Sequence, residues 1–534
     1  MTNFSASLSA VAEPTEQPVR ILAPPAPRLT SSSLLARNAT LNLFGEGWTF
    51  LVLLVAMPKL VTFLGETSFG LFSLAWVVIG YLSFLDIGVN RAATKFISEH
   101  LAERDEESIC SLVRTAFLAN LVLGVIGGIA VALTAPFLIH SVFKVSPQLV
   151  RQATFAFYAV GVAVPVLLVQ GILRAVLSSY QRFGWINGVN VVAVTLQWGS
   201  AGWLAWRGHG VAVVVIATVI ARLLATGTYG VLLWRVLPRM PFHRSQGLSG
   251  LFKLLKFGSW VSVSQVISPV LVYLDRMLIA SFVSLGAVTL YTVPYEAIFR
   301  LRIIPSSLMA TLFPAFSERG SEGSRSRLQE LYIGSLRYLL VLIVPLFALV
   351  GFVGKDLLSI WMGSAFAMHS SAVLQFLALG VFFNALACIP YNALQALGRP
   401  DITGKFHLLE LPIYILLCIL LIPRWGLIGA ATANSFRLGI DAFLLFWAAW
   451  RYCACPVRVA GKNGLVSIVK ASFLFCSLLV LERLFLSGAL FRLGAALSLS
   501  CIYYYFVWTS ILTERERASI IGALLARPGR LTAQ

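Results

Sequence analysis

The chain consists of long apolar stretches separated by short polar ones. Each apolar stretch is near the roughly 20 residues that an α-helix needs to cross the hydrocarbon core of a membrane. Transmembrane β-strands would instead show alternation over about ten residues. The pattern therefore predicts an all-α polytopic membrane protein with about 14 transmembrane helices. The predicted segments lie at about 37–63, 68–90, 109–138, 151–174, 185–206, 211–235, 257–283, 287–314, 331–354, 371–397, 405–423, 427–450, 465–487 and 490–512.

Composition supports the membrane interpretation and limits the others. Hydrophobic residues make up 58% of the 534 residues and charged residues only 12%, whereas soluble proteins carry roughly 25% charged residues. This excludes a single soluble domain and a disordered chain. A net charge of +19 would suggest nucleic-acid binding on a soluble chain. Here the charges interrupt apolar runs instead of forming polar patches, so we predict no nucleic-acid partner.

The loops between the predicted helices indicate how the chain is oriented. If the N-terminus is cytoplasmic, the loops after even-numbered helices carry 18 Lys and Arg residues and the opposite loops carry 7. This bias follows the positive-inside rule. It predicts that both termini are cytoplasmic and that residues 91–104, which follow the second helix, form a cytoplasmic loop.

Several landmarks recur 215 to 221 residues apart, for example Gly65 with Gly286 and Arg222 with Arg437. The repeat unit holds six helices, an even number, so both copies cross the membrane in the same sense as parallel repeats. Two such lobes enclose a cavity, and lobes that rock around a cavity are typical of secondary transporters. The predicted division is a flexible cytoplasmic tail at 1–33, six-helix lobes at 34–238 and 251–452, two additional helices at 465–512 and a cytoplasmic tail at 513–534.

The chain carries no recognisable motif for catalysis, nucleotide binding or metal binding. It has no P-loop, no G-x-S-x-G and no H-E-x-x-H, and Cys453-x-Cys455 has no second ligand pair for zinc. A membrane glycosyltransferase, polymerase or ligase would need a large external loop or domain. The longest outward loop, 354–370, has only about 17 residues. We therefore predict no catalytic residue, no cofactor and no metal.

Three stretches carry a resemblance to a known family. They are Leu-Gly-Glu-Thr-Ser-Phe-Gly-Leu-Phe at 64–72, Leu-Asp-Ile-Gly-Val-Asn-Arg-Ala-Ala-Thr-Lys at 85–95 and Asn-Ala-Leu-Gln-Ala-Leu-Gly-Arg-Pro at 392–400. The chain resembles the oligosaccharide flippases (Wzx-type, polysaccharide transporter family) of the multidrug/oligosaccharidyl-lipid/polysaccharide exporter superfamily, over about residues 34–512. The resemblance implies a V-shaped pair of six-helix bundles with two extra helices, and a lipid-linked oligosaccharide as cargo.

Several basic residues fall inside the predicted helices. A charge at the centre of a membrane helix costs roughly 2.5–3.5 kcal/mol on insertion scales, so each should face protein or water. Arg276 lies in the seventh helix, Arg300 and Arg302 lie in the eighth, and Arg91 ends the second. If the family architecture holds, these helices border the lobe interface, and we predict a cationic cavity there. Its guanidinium groups would bind a pyrophosphate head bidentately.

Acidic residues at membrane depth are candidates for ion coupling or for charge pairs. These candidates are Glu46, Asp86, Asp275 and Glu296. Glu46 and Asp86 could carry protons. Glu296 and Arg300 are four residues apart on one helical face, so a pair between them is geometrically easy. In the alternative interpretation, Glu296–Arg300 and Asp275–Arg276 are neutralising pairs that hold helices together, without a role in transport.

Three further charges lie at membrane depth in positions related by the repeat. They are Arg222 in the sixth helix and Arg437 and Asp441 in the twelfth. Recurrence at the same repeat position favours a structural role for them. Asp86, near the cytoplasmic end of its helix, is also explained as an ordinary interfacial charge.

Together, these observations favour a flippase of the bacterial inner membrane for a polyprenyl-pyrophosphate-linked oligosaccharide. Its partners would be the lipid-linked oligosaccharide, membrane lipid, a coupling ion (proton or sodium) and other polysaccharide-assembly proteins. Helices at 465–512 would shape a groove for the lipid tail. Two alternatives stay open: a cation-coupled multidrug exporter of the same superfamily, which usually has twelve helices, and a lipid II flippase, which has fourteen.

Overall fold

The computed structural model describes residues 32–103, 105–237, 259–309, 325–453 and 465–512, with 312, 316, 514, 517 and 518. Every regular element within these residues is helical, as predicted. The predicted tails at 1–33 and 513–534 lie almost wholly outside the described residues. Cys455 and the predicted loop between the two lobes, at 238–250, lie outside them as well.

Seven helices form the first half of the described chain. After α2, a 3₁₀ turn continues the helix through Leu82–Asp86, and a π-helical turn at Leu138–Val142 extends α4. The bounds are α1 Ser32–Leu64, α2 Glu66–Tyr81, α3 Val89–Glu103, α4 Glu106–Phe137, α5 Pro147–Ser179, α6 Phe183–Trp206 and α7 Val211–Val236.

Seven more helices of 15 residues or more follow residue 258 in the described chain, and residues 303–309 form a shorter helical segment. A 3₁₀ turn at Arg300–Arg302 follows α9, and a π-helical turn at Val507–Ile511 follows α14. The bounds are α8 Ser259–Phe282, α9 Leu285–Phe299, α10 Arg325–Met362, α11 Ser364–Ala396, α12 Pro400–Cys453, α13 Leu465–Phe485 and α14 Ala489–Phe506.

Helix α12 contains two of the predicted segments. Gly426 interrupts it with φ 55° and ψ −129°, which is not a helical conformation. A positive φ costs glycine little because it has no Cβ. The break therefore separates the predicted helices at 405–423 and 427–450.

Ten described helical spans are long and apolar enough to cross a membrane, and one of them is the 52-residue span Asp401–Tyr452 that contains Gly426. The protein is therefore a multi-pass all-α membrane protein, which confirms the predicted fold class. Helix starts follow ordinary capping rules. The Asp105 carboxylate, for example, accepts a hydrogen bond from the Ser108 amide at 3.0 Å and begins α4. Hydrogen bonds from Ser108 hold the pKa of Asp105 below its usual range.

Residues 91–104 are not a simple loop, contrary to the prediction, because most of them belong to α3. Val89, Ala92, Ala93 and Ile97 form an apolar stripe at helical spacing, and all four are buried. Helix α3 has 15 residues, fewer than the roughly 20 that a membrane-spanning helix needs. Asp86 helps to start this helix, since its Oδ1 accepts a hydrogen bond from the Asn90 amide at 3.1 Å.

The helices pack as two groups that meet along α2. Helices α1–α7 pack on one another, α8–α12 form the second group, and α2 contacts α8 and α9. Helices α13 and α14 pack against α10, where the Arg492 guanidinium binds both carboxylate oxygens of Asp356 at 2.7 and 2.9 Å. The exact lobe limits of 34–238 and 251–452 stay predictions.

Direct contacts join the two lobes near the end of α1 and the start of α2. The Thr289 hydroxyl donates to the Glu66 carbonyl oxygen at 2.6 Å, and the Trp361 indole donates to the Leu54 carbonyl oxygen at 2.6 Å. Gly70 lies so close to the Leu285 carbonyl that a Cβ at Gly70 would collide with it. At this end, the lobes are in van der Waals contact.

Candidate functional site

A cavity lies between the two lobes, below these contacts. Its central part has a volume of about 420 Å³ and is bordered by α1, α2, α5, α6 and α7 from one lobe and by α8 and α9 from the other. It continues into a second space that shares Ser83 and Arg222, and from there into a third that shares Asn90 and Arg174. A fourth space on the second lobe joins through Ser268. These spaces extend toward the helix ends opposite the lobe contacts.

The cavity carries more basic than acidic side chains among its described lining residues. Six arginines line it, against four carboxylates. The arginines are Arg91, Arg174, Arg222, Arg276, Arg300 and Arg302, and the carboxylates are Glu46, Asp86, Glu296 and Asp441. An excess of guanidinium groups in a partly dry cavity attracts an anionic group more strongly than the same charges would in water.

Arg276 is the most enclosed of these arginines, with 1% of its side chain exposed. Its Nη2 lies 3.6 Å from Oε1 of Glu296, and its Nη1 donates to the Val272 carbonyl oxygen at 2.9 Å. The guanidinium carbon is 3.8 Å from the centre of the Tyr295 ring, a cation–π contact. These partners fix the orientation of the guanidinium at the cavity wall.

Arg300 connects the two lobes. Its Nη2 lies 3.8 Å from Glu296 on its own helix, and its Nη1 lies 3.6 Å from Glu46 on α1. Glu296 thus stands between Arg276 and Arg300. Arg300 is 30% exposed and Glu46 is 61% exposed, so both side chains reach the space that a ligand would occupy.

Asp275 does not pair with its neighbour Arg276, because adjacent helical residues point about 100° apart. Its carboxylate accepts hydrogen bonds from the Tyr291 hydroxyl and from the Arg276 backbone amide. It is fully buried within the second lobe. The two side chains form no salt bridge within 4.0 Å, but the buried Asp275 carboxylate is close enough to offset the Arg276 charge, and a neutralising role for it stays a prediction.

The other predicted site residues lie further from Arg276. Arg91 is exposed and lines the third space together with Glu46. Arg302 lines the space on the second lobe, beside Asp441. Arg300–Arg302 form a 3₁₀ turn of about three residues per turn, so side chains two residues apart point in different directions, which explains the separation. Asp86 lines the second space, but one of its carboxylate oxygens is used to start α3.

Arg222 lines the cavity, although its repeat position favoured a structural role. Its guanidinium carbon lies 4.3 Å from the centre of the Trp76 ring. No carboxylate among the described residues lies within 4.0 Å of it, and its Nε has no hydrogen-bond partner there. Arg174, which the sequence places at a helix end, lies on the same cavity wall. The signal that could have identified Arg222 was its lack of any acid within one helical turn.

Arg437, the repeat partner of Arg222, has a different environment. Its Nη1 lies 3.7 Å from Oε2 of Glu410, and its Nη2 donates to the Asn434 side-chain oxygen at 3.0 Å. Both charged side chains are buried, with 9% and 1% exposed. These contacts lie inside the second lobe and fit a structural role for Arg437.

Two curated proteins illustrate the sequence relationships of the chain. The "Putative O-antigen transporter" of Shigella flexneri is 28% identical over 426 residues, which are 79% of this chain and 99% of that protein. The "Probable low-salt glycan biosynthesis flippase Agl15" of Haloferax volcanii is 21% identical over 406 residues, which are 76% of this chain and 80% of that protein.

Structural comparison gives the same fold class. The lipid II flippase MurJ in an inward closed conformation superposes with a TM-score of 0.67 at 15% identity, over 92% of this chain and 100% of that one. At this identity, the likeness concerns the fold alone. The sequence profile of a family described as "Polysaccharide biosynthesis protein" matches residues 35–319, more than half of the chain. The chain therefore belongs to this polysaccharide biosynthesis protein family.

Proposed function

We propose that the protein is a flippase for a polyprenyl-pyrophosphate-linked oligosaccharide. It would move this unit from the cytoplasmic to the periplasmic leaflet of the bacterial inner membrane for surface polysaccharide, such as O-antigen, capsule or exopolysaccharide. The observation that carries the proposal is the cationic cavity between the lobes, with Arg222, Arg276 and Arg300 on its walls. A pyrophosphate brings about two negative charges, and guanidinium groups bind phosphate oxygens bidentately. The names of the relatives from Shigella flexneri and Haloferax volcanii support this cargo class.

Alternating access is the mechanism that we infer. The lobes touch where Glu66 meets Thr289, whereas the cavity extends toward Arg91 and Arg302 at the opposite helix ends. With both termini cytoplasmic, that cavity faces the cytoplasm and can admit the head of the cargo. Rocking of 37–235 against 257–450 would then separate the outer contacts and turn the cavity toward the periplasm, while the lipid chain stays in the bilayer.

The charge of the cavity argues against a cation-drug exporter. A net positive lining repels a cationic drug, and six arginines face four carboxylates among the described lining residues. Lipid II carries the same pyrophosphate chemistry, so charge alone does not separate it from an oligosaccharide cargo.

A coupling ion, either a proton or sodium, is part of the proposal. Of the four acidic candidates, Glu46 and Glu296 fit it best because both line the cavity and face Arg300. Asp86 starts α3, and Asp275 is held by Tyr291 away from the cavity. Contact with other polysaccharide-assembly proteins also belongs to the proposal.

The test is complementation of cells whose own polysaccharide flippase is deleted, in several hosts with different oligosaccharide units. Wild type, Arg276→Ala, Arg300→Ala and the control Arg424→Ala are compared at matched membrane levels. Arg424 is exposed and does not line the cavity spaces described above. We expect surface polysaccharide with wild type and Arg424→Ala, and its loss with the two cavity variants.

Two results would overturn the proposal. Rescue of cells depleted of their lipid II flippase, without restored surface polysaccharide, would assign lipid II as the cargo. Resistance to cationic dyes without restored polysaccharide would assign drug export.

A further inference from the structure

Helices α1 and α6 run side by side, but their side chains are in contact over only part of their shared length. The Asn187 side-chain amide donates to the Asn42 side-chain oxygen at 2.7 Å, and the Trp48 indole donates to the Thr195 hydroxyl at 2.9 Å. Beyond Trp48, the helices leave a groove of about 710 Å³ on the outside of the lobe. The groove therefore occupies the half of the seam that ends near Trp206.

Two glycines of α6 open this groove. Gly199 and Gly202 lie on one side of the helix, and no atom lies within 4 Å of the place where a Cβ would stand on either. Trp203 and Trp206 form the walls and are 54% and 61% exposed. Because Gly199 and Gly202 carry no side chain, the groove has the width that one row of side chains would fill, which is about that of one hydrocarbon chain.

Two basic side chains lie at the outer end of the groove. Lys59 lines it, and the Arg207 guanidinium carbon lies 5.4 and 5.9 Å from the ring centres of Trp203 and Trp206. Both are exposed, and no carboxylate of the described residues lies within 4.0 Å of either. An apolar groove that ends in two cations without a carboxylate partner in the described chain is complementary to a lipid with an anionic head group.

A single side chain separates this groove from the cavity. Trp198 lines both spaces, and its ring meets Phe72 of α2 edge-on at 5.9 Å. A lipid whose head occupies the cavity would therefore have a path for its chain on the other side of one indole.

We propose that the groove between α1 and α6 binds the isoprenoid chain of the lipid-linked oligosaccharide, and that Lys59 and Arg207 meet its phosphate once the head has left the cavity for the outer leaflet. This inference rests on the proposed function, since it locates the hydrocarbon part of the same cargo, and it replaces the groove that the sequence predicted at 465–512. A polyprenyl lipid has one chain, which matches a groove one chain wide, whereas a bilayer phospholipid has two. The chain comes from bilayer hydrocarbon, which is as apolar as the groove, so binding depends on van der Waals fit to the groove and on the two cations at its end.

The test uses the purified full-length protein in nanodiscs of phosphatidylcholine. The probe is a polyprenyl phosphate with a photoreactive diazirine on its chain, and labelled peptides are identified by mass spectrometry. Gly199→Leu and Gly202→Leu fill the groove in space that is open in the fold. Gly227→Leu on α7 is the matched control, since its Cβ position is equally open and lies outside the groove. We expect labelling of α1 and α6 to fall about tenfold in the groove variants, because leucine takes the place of the chain and its van der Waals contacts are lost, and to persist in the control.

Unchanged labelling in Gly199→Leu and Gly202→Leu would overturn the inference. Displacement of the probe by an equal amount of phosphatidylglycerol would also overturn it, because the groove would then belong to bilayer phospholipid. In a Lys59→Gln and Arg207→Gln double variant, labelling by the phosphate probe should fall, while labelling by an uncharged polyprenol probe should not. The labelling experiment measures only the binding of a probe without sugar, so its result does not depend on transport.

If complementation fails while the groove is still labelled, the proposed function is wrong but the groove still binds a polyprenyl chain.

Discussion

The carboxylate of Glu46 lies 3.6 Å from the guanidinium of Arg300, although the two residues belong to different lobes. Both side chains are partly exposed, and an ion pair of this kind contributes about 1 kcal/mol or less. The contact is therefore weak enough to break when the lobes separate. It also leaves Arg300 available to exchange Glu46 for an anionic ligand.

Charge reversal separates the two roles of Arg300. We expect Arg300→Glu to abolish transport, and we expect the swapped pair of Arg300→Glu with Glu46→Arg not to restore it. The swap rebuilds the ion pair but removes the cation from the second lobe, where the cargo head would bind. Transport in proteoliposomes and thermal stability in detergent measure the two effects. Full recovery in the swapped pair would mean that Arg300 serves only to join the lobes.

Arg222 offers a second test of the cavity, because it has no acidic partner within 4.0 Å among the described residues. We expect Arg222→Ala to weaken binding of the lipid-linked oligosaccharide about tenfold or more, since hydrogen bonds to charged groups contribute about 1.5–3 kcal/mol. Thermal stability should hardly change, because no buried ion pair is broken.

Binding is measured in nanodiscs by microscale thermophoresis, with Arg424→Ala as the exposed control. A lowered melting temperature with unchanged affinity would make Arg222 a structural residue, as its repeat position first suggested.

Gly70 provides a test of the lobe contacts at the other end of the cavity. A Cβ at this position would collide with the Leu285 carbonyl oxygen of the opposite lobe. We expect Gly70→Ala to shift the population toward arrangements in which this end is open. Spin labels at Lys144→Cys and Lys355→Cys, with the seven native cysteines replaced by Ser, report the separation of the lobes.

The distance distribution between these labels should move to longer values in Gly70→Ala. Gly188→Ala is the matched control, because no atom lies within 4 Å of its Cβ position. An unchanged distribution in Gly70→Ala would mean that the two helices absorb the methyl group without moving the lobes.

The helices were predictable because each apolar run is long enough to cross the membrane on its own. Even the break at Gly426 falls in the short gap between two predicted segments. Helix α3 was missed because its stripe of buried residues is shorter than a span. Its signal is helical periodicity, which a count of apolar runs does not detect.

The partners of the charged residues were less predictable. Glu296–Arg300 follows from spacing along one helix, and the structure places these side chains 3.8 Å apart. Arg276–Glu296 and Glu46–Arg300 depend on how different helices pack, which local spacing does not contain. Sequence adjacency was misleading for Asp275, because neighbouring helical positions face different surroundings.

Repeat position was an incomplete guide as well. Arg222 and Arg437 occupy related positions, yet one stacks on Trp76 at the cavity and the other is buried beside Glu410. The difference arises because the second lobe supplies an acid at this depth.

The buried pair of Glu410 and Arg437 gives the last prediction. Their charged groups lie 3.7 Å apart, and 1% and 9% of the side chains are exposed. Buried Asp441, four residues from Arg437 on the same helix, interacts with both side chains. Removing Arg437 leaves two buried carboxylates without their cation, and breaking a buried pair costs about 3–5 kcal/mol, whereas removing Glu410 leaves Arg437 with Asp441. We therefore expect Arg437→Met to lower the melting temperature strongly, Glu410→Met to lower it less, and the double variant to be no less stable than Arg437→Met. The measurement is thermal unfolding at matched detergent concentration, with Arg424→Met as the exposed control. If the double variant loses as much melting temperature as the two single variants together, the two residues act independently. If both single variants have the wild-type melting temperature, the pair does not hold the second lobe together.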